Sequence, residues 1–193
     1  MPSTPLFGPG EFFAQRSPSL ASASIILLFT GVVAVASAAP YVDQVTSVEI
    51  TTETLVISIL LGGLIGAAGI WIVSTVIVYL LTAIVGGNGS ITQTAANIGW
   101  ALLPLLFVNT ISTITLWSVA FAGNPPSMTV TQMQLPPWLL LFNTVVGLIG
   151  YVWVGYILTY AIKHARNVDI QRSASVAGIV VAIPVLNTVI SLF

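Results

Sequence analysis

The sequence predicts an all-α protein, a polytopic membrane bundle of five transmembrane helices, on three observations. Charged residues make up 5% of the chain and hydrophobic ones 56%, against about 25% charged in soluble domains, which is more apolar surface than a soluble core absorbs. Five segments supply the roughly 20 apolar residues that a helix needs to cross about 30 Å of hydrocarbon: 20–39, 54–85, 95–122, 138–162 and 173–193. All four Lys and Arg residues, Arg16, Lys163, Arg166 and Arg172, fall on one side of the membrane in that topology.

Residues 1–19 are expected to form a cytoplasmic interfacial segment, followed by a single transmembrane domain over 20–193. Phe7, Phe12 and Phe13 would seat the segment in the headgroup layer, with Glu11 and Arg16 toward water. The first span has a second reading, because Arg16, an apolar run and Ala36-Ser37-Ala38 before Ala39-Pro40 resemble a secretory signal with a small-residue cleavage site. Its apolar run is longer than a signal core, which favours a retained span. Asp43, Glu49 and Glu53 occupy the first loop. Lys and Arg resist crossing during insertion while acidic residues count for little, so the N-terminus is placed in the cytoplasm and the C-terminus outside.

Spans two and three exceed the required length and should tilt or project. Turn chemistry marks the links: Gly86-Gly87-Asn88-Gly89-Ser90 between spans two and three, and Gly123-Asn124-Pro125-Pro126 with Pro136-Pro137 between three and four. Span two carries Ser58, Gly62 and Gly66 at four-residue intervals, a small-residue face expected to serve packing within the bundle.

The chain also reads as a parallel repeat of spans two-three and four-five. Gly63-Leu64-Ile65-Gly66 and Trp71 match Gly147-Leu148-Ile149-Gly150 and Trp153; Pro104 and Asn109-Thr110 match Pro184 and Asn187-Thr188. Counting about 1.5 Å per residue places Asn109-Thr110, Asn143-Thr144 and Asn187-Thr188 at similar depth, a candidate polar layer in the outer half of the bilayer. Such amides bond between helices, or line a polar path. Pro104 and Pro184 near mid-depth each remove a backbone donor and are expected to kink their helices.

Proton- or cation-coupled carriers generally show an intramembrane ionisable residue, and spans two to five have none away from their ends. A net charge of −1 with no basic run argues against nucleic-acid binding. Without cysteine there is no thiolate ligand or nucleophile, and the single histidine, His164, has only Asp169 nearby in sequence as an orienting carboxylate. No catalytic, metal or cofactor residues are therefore expected, and the chain is not read as an enzyme. Lys163, His164, Arg166 and Arg172 form a cytoplasmic basic cluster, read as a topology signal with an anionic-lipid contact.

Pro9 with Phe12 and Phe13, the Gly86–Ser90 run with Gln93 before Gly99-Trp100-Ala101-Leu102-Leu103-Pro104, and Trp153 with His164 before Ser173-Ala174-Ser175 and Ile183-Pro184 together resemble the Yip family, the Ypt/Rab-interacting five-span membrane proteins, in a short prokaryotic-type form. The resemblance implies a cytosolic N-terminus and an outward C-terminus. Eukaryotic relatives are associated with Golgi and endoplasmic-reticulum trafficking and bind small GTPases; their longer cytosolic N-terminal region is missing here, which counts against GTPase binding. The expected function is a non-enzymatic membrane scaffold or adaptor, acting in membrane organisation, lipid binding or as a subunit of a larger assembly, with the bilayer, other membrane proteins or a second copy as partners. The alternative is a passive channel or transporter component built on the Asn/Thr layer. Because the chain has no native cysteine, Ser127→Cys tests the topology directly: an impermeant thiol reagent should label it only from outside, and labelling only from the cytoplasm would invert the orientation.

Overall fold

Hydrocarbon offers backbone N–H and C=O groups no partner, so a chain this apolar must close its hydrogen bonds within helices. The computed structural model describes residues 4–44, 50–123, 127–128 and 133–190. Its helices are α1 (Pro9–Gln15), α2 (Leu20–Ala36), α3 (Thr52–Ile84), α4 (Ile91–Ala101), α5 (Leu103–Phe121), α6 (Pro137–Arg166) and α7 (Ile170–Ile190), with a 3-10 turn over Ala39–Gln44. Two two-residue strands, β1 (Ser127–Met128) and β2 (Met133–Gln134), pair antiparallel with Ser127 opposite Gln134. Five helical stretches are long and apolar enough to span a membrane, the third being α4 and α5 together. Glu49, the Asn124-Pro125-Pro126 turn and the last residues of the fifth expected span, 191–193, lie outside the described residues.

Several boundaries move outward from those expected. The third span begins at Ile91 instead of residue 95, because the Ser90 hydroxyl caps it by accepting from Gln93 N–H at 3.1 Å. The fourth span continues to Arg166 and the fifth starts at Ile170. Only residues 167–169 join them, with Asn167 as a left-handed C-cap at φ 51°. Pro104 does interrupt its span: α4 ends at Ala101, Leu105 N–H bonds to Leu102 O at 2.9 Å, and Pro104 sits in the first turn of α5, where no N–H is needed. Pro184 instead lies within a continuous α7.

α2 packs on α3, α4 and α5, while α6 packs on α7, α4, α5 and α1. The α2–α3 crossing is set by Gly31 and Gly63, where a Cβ on Gly31 would overlap the Gly63 carbonyl oxygen. The small-residue face anticipated for this role is displaced by one residue: Ser58, Gly62 and Gly66 are exposed, and nothing lies within 4 Å of a Cβ built on Gly66. The main core sits toward the end of the bundle that carries the basic residues, around Val78, Ile98, Ile157, Ile162 and Val176. A smaller cluster of Tyr41, Leu116 and Leu139 closes the opposite end. Large aliphatics such as Ile65, Ile149 and Val152 are more than 60% exposed, a shell that requires a lipid surround.

The N-terminal segment docks on the bundle. Phe12 and Phe13 are buried at 3% and 5% exposure, while Phe7 is 79% exposed. Phe12 lies 5.2 Å from the Trp100 ring, Phe7 6.0 Å from Trp153, and Trp153 Nε1 donates to Leu6 O at 2.9 Å. Gly10 permits this docking, since a Cβ there would stand 3.1 Å from the Tyr160 ring. Two of the three aromatics, Phe12 and Phe13, are thus held by packing within the bundle.

Replacing Gly31 by Ala should destabilise the bundle by about 2 kcal/mol through overpacking, whereas Gly69→Ala, with nothing within 4 Å, should be neutral or stabilising. Unfolding titrations in detergent compare the two, and equal stabilities would contradict the close crossing.

Candidate functional site

The link from α3 to α4 can be made only with glycines at two points. Gly86 and Gly89 have φ of 84° and 138°, and a Cβ on Gly89 would overlap the Ala165 carbonyl oxygen. The loop therefore lies against the end of α6. Asn88 N–H donates to Arg166 O at 2.9 Å, and Asn167 Nδ2 donates to Asn88 Oδ1 at 3.1 Å.

Arg166 locks this junction. Its side chain is 2% exposed and fans its donors across the loop: Nε to Thr82 Oγ1 at 2.9 Å, one terminal nitrogen to Gly87 O at 3.1 Å and the other to Gly89 O. The Tyr79 ring lies 4.1 Å beneath the guanidinium. The Arg166 side chain has no carboxylate partner among the described residues, so the burial of its charge is offset by carbonyl dipoles, the Tyr79 π face and the negative ends of α3 and α6, which both terminate here. Each hydrogen bond to a charged donor contributes about 1.5–3 kcal/mol. A bare buried guanidinium would be untenable, and this one is held by a fitted socket.

The other members of the basic cluster are placed differently. Arg172 is exposed, donates to Val85 O at 2.9 Å and pairs with Asp169 at 3.0 Å. Asp169 Oδ1 also accepts Arg172 N–H at 2.9 Å, capping α7, and that backbone bond, together with the Arg172 charge, holds its carboxyl below the ordinary value. The Asp169 carboxylate thus pairs with Arg172. His164 and Lys163 are half-buried on the last turn of α6. Among the described residues no group of three or more His, Cys, Asp or Glu side chains gathers to hold a metal.

The predicted Asn/Thr layer does not form one hydrogen-bonded ring. Asn109 Nδ2 donates to Thr30 O at 3.2 Å on α2, but Asn143 Nδ2 turns back to Leu139 O at 3.0 Å on its own helix. Thr110 and Thr188 likewise bond backward to Leu106 O and Pro184 O. Thr144 is buried and Asn187 exposed. The physical reason is rotation about the helix axis: similar depth did not put these residues on facing sides.

What the sequence reading missed is a ladder. Asn109, Thr113 and Trp117, one turn apart on α5, donate to Thr30 O, Val33 O and Ala36 O of α2 at 3.2, 2.9 and 2.8 Å. Buried Asn97 similarly donates to Ala161 O on α6 at 3.1 Å while accepting from Gln93 at 2.7 Å. Its signal in the sequence was Gln93 and Asn97 at i, i+4. The tryptophans matched in the repeat both donate to carbonyls of other elements, Trp71 to Ala95 O at 2.8 Å and Trp153 to Leu6 O.

The Yip1 domain, as a family profile, matches residues 5–192. The chain belongs to the Yip1 domain family. The match takes in the docked N-terminal segment, the glycine loop and all five spans, and with those spans it makes the chain an integral membrane protein of the Yip type. Neither a curated protein nor a solved structure matches the chain.

Within this Yip1 domain, Arg166→Leu should cost on the order of 3 kcal/mol, since it strips two loop carbonyls and a hydroxyl of their donor. Arg166→Lys should recover only part of that, because an ammonium lacks the planar fork. Thermal unfolding in detergent measures both, and a lysine variant as stable as wild type would refute the fork's role.

Proposed function

We propose that this Yip1-domain chain is a non-enzymatic membrane scaffold or adaptor, acting in membrane organisation or as a subunit of a larger assembly. In this reading its basic end faces the cytoplasm of a prokaryotic cell and its C-terminus lies outside. The observation that supports it is how polar groups within the spans are used. Asn97, Asn109, Thr113 and four tryptophan indoles are committed to carbonyls or a hydroxyl of neighbouring elements. A reaction centre or a water path needs polar atoms turned toward substrate or solvent; those side chains fasten the bundle to itself, and the outward face is mostly aliphatic, Asn187 excepted. The same commitment counts against a passive channel or transporter component.

In-membrane crosslinking followed by mass spectrometry should capture partner membrane proteins or a second copy. A chain that always isolates alone from mild detergent, with no bound lipid, would overturn the scaffold reading. Liposomes carrying the protein should stay tight to ions and small solutes, and Asn109→Ala should lower stability by about 0.6–2 kcal/mol with no change in permeability.

A further inference from the structure

Two clefts open sideways from the bundle and run into one another. The first, about 310 Å³, lies between α2, α3 and α5 and is bordered by Gly62, Gly66, Val108, Asn109 and Gly147. The second, about 340 Å³, lies between α3, α6 and α7 beside the α4–α5 break and is bordered by Ser74, Val78, Val154, Val181 and Pro184. Both share Ile70, Leu102, Leu105 and Tyr151. Along α3, Val78 and Gly62 stand about 9 Å and about 33 Å from Ile84, so the joined groove follows the membrane normal from the inner half into the outer half.

We infer that this groove holds one aliphatic chain of a membrane phospholipid as a resident ligand, distinct from the lipid that surrounds the protein. The groove is continuous with the lipid-facing shell at Ile70 and Ile183, which are 63% and 62% exposed, so its mouth opens onto hydrocarbon. Its walls are mostly aliphatic, with the hydroxyls of Thr30, Ser74 and Tyr151 among them, and the amide that borders it, Asn109, already donates to Thr30 O. An extended acyl chain follows the length of the joined clefts, whereas a transmembrane helix, about 10–12 Å across with its side chains, would engage them only through its side chains. Glycines shape part of its wall. Gly31 and Gly63 are explained by a helix crossing, but a Cβ on Gly66 or Gly147 would meet no heavy atom within 4 Å. Gly66 and Gly147 border the groove and leave it deeper there, while Gly69 and Gly178, equally without a contact within 4 Å, lie outside it.

The test uses the full chain in phosphatidylcholine–phosphatidylglycerol vesicles with a trace of phospholipid bearing a mid-chain diazirine. After irradiation, adducts should concentrate on Leu102, Leu105 and Tyr151, located at residue level, relative to the shell residues Phe29 and Leu186, 56% and 59% exposed. Gly66→Leu and Gly147→Leu place side chains into the groove from positions where a Cβ meets nothing within 4 Å, and each should reduce the groove adducts about tenfold while leaving the shell adducts unchanged. Gly178→Leu, also with nothing within 4 Å but outside the groove, should leave both at wild-type level. Groove adducts no more frequent than shell adducts, or unaffected by the filling variants, would overturn the inference. So would a disulfide-linked pair of Gly66→Cys chains in the same vesicles, which would put a second copy at the groove.

Discussion

The guanidinium of Arg166 is where the chain's separate parts are made to agree. It lies at the end of α6, yet its donors are taken by Thr82 near the end of α3 and by two carbonyls of the loop that starts α4. A charge in a poorly solvated place demands close partners, and these partners are available only if the loop lies flat on α6. The loop does so because Gly86 and Gly89 adopt backbone angles closed to other residues and because no side chain separates Gly89 from Ala165. Burial of one cation thereby specifies the meeting point of three helices, and Arg172 repeats the device in weaker form by bonding Val85 O from the surface.

From this tied end the bundle is held outward by a different kind of bond. Lipid tails are as apolar as leucine, so helices in a membrane gain little by hiding aliphatic surface from them and rely on close packing and interhelical hydrogen bonds. The chain uses both: α2 meets α3 glycine to glycine, and α2 receives amide, hydroxyl and indole donors from α5. The N-terminal segment is recruited in the same way, by the Trp153 indole and by aromatic contact with Trp100.

The five spans were legible in the sequence because a lipid solvent imposes length and apolarity directly on the chain. Their ends were less so. Thr92-Gln93-Thr94 looks polar enough for a loop, but Ser90 caps a helix that includes it, and the basic link proved to be the last turn of one helix and the first turn of the next. Facing was the least legible property, since helices apolar all round show no periodicity to say which side is inward. Depth alone grouped Asn109, Asn143 and Asn187, and only Asn109 reaches a neighbouring helix through its side chain. For Arg166 the sequence supplied the charge and its grouping with Lys163, His164 and Arg172; its turn inward depends on where Tyr79, Thr82, Gly87 and Gly89 arrive in space.

The ladder between α5 and α2 divides its demands unequally. Asn109, Thr113 and Trp117 must each be a donor of the right reach, but Thr30, Val33 and Ala36 contribute only main-chain oxygens, which any residue supplies. The three bonds themselves therefore survive exchanges of α2 side chains that keep the packing volume. Among relatives, the information that keeps these two helices together should be written almost wholly in one of them, and drift in α2 would be a poor measure of divergence in structure.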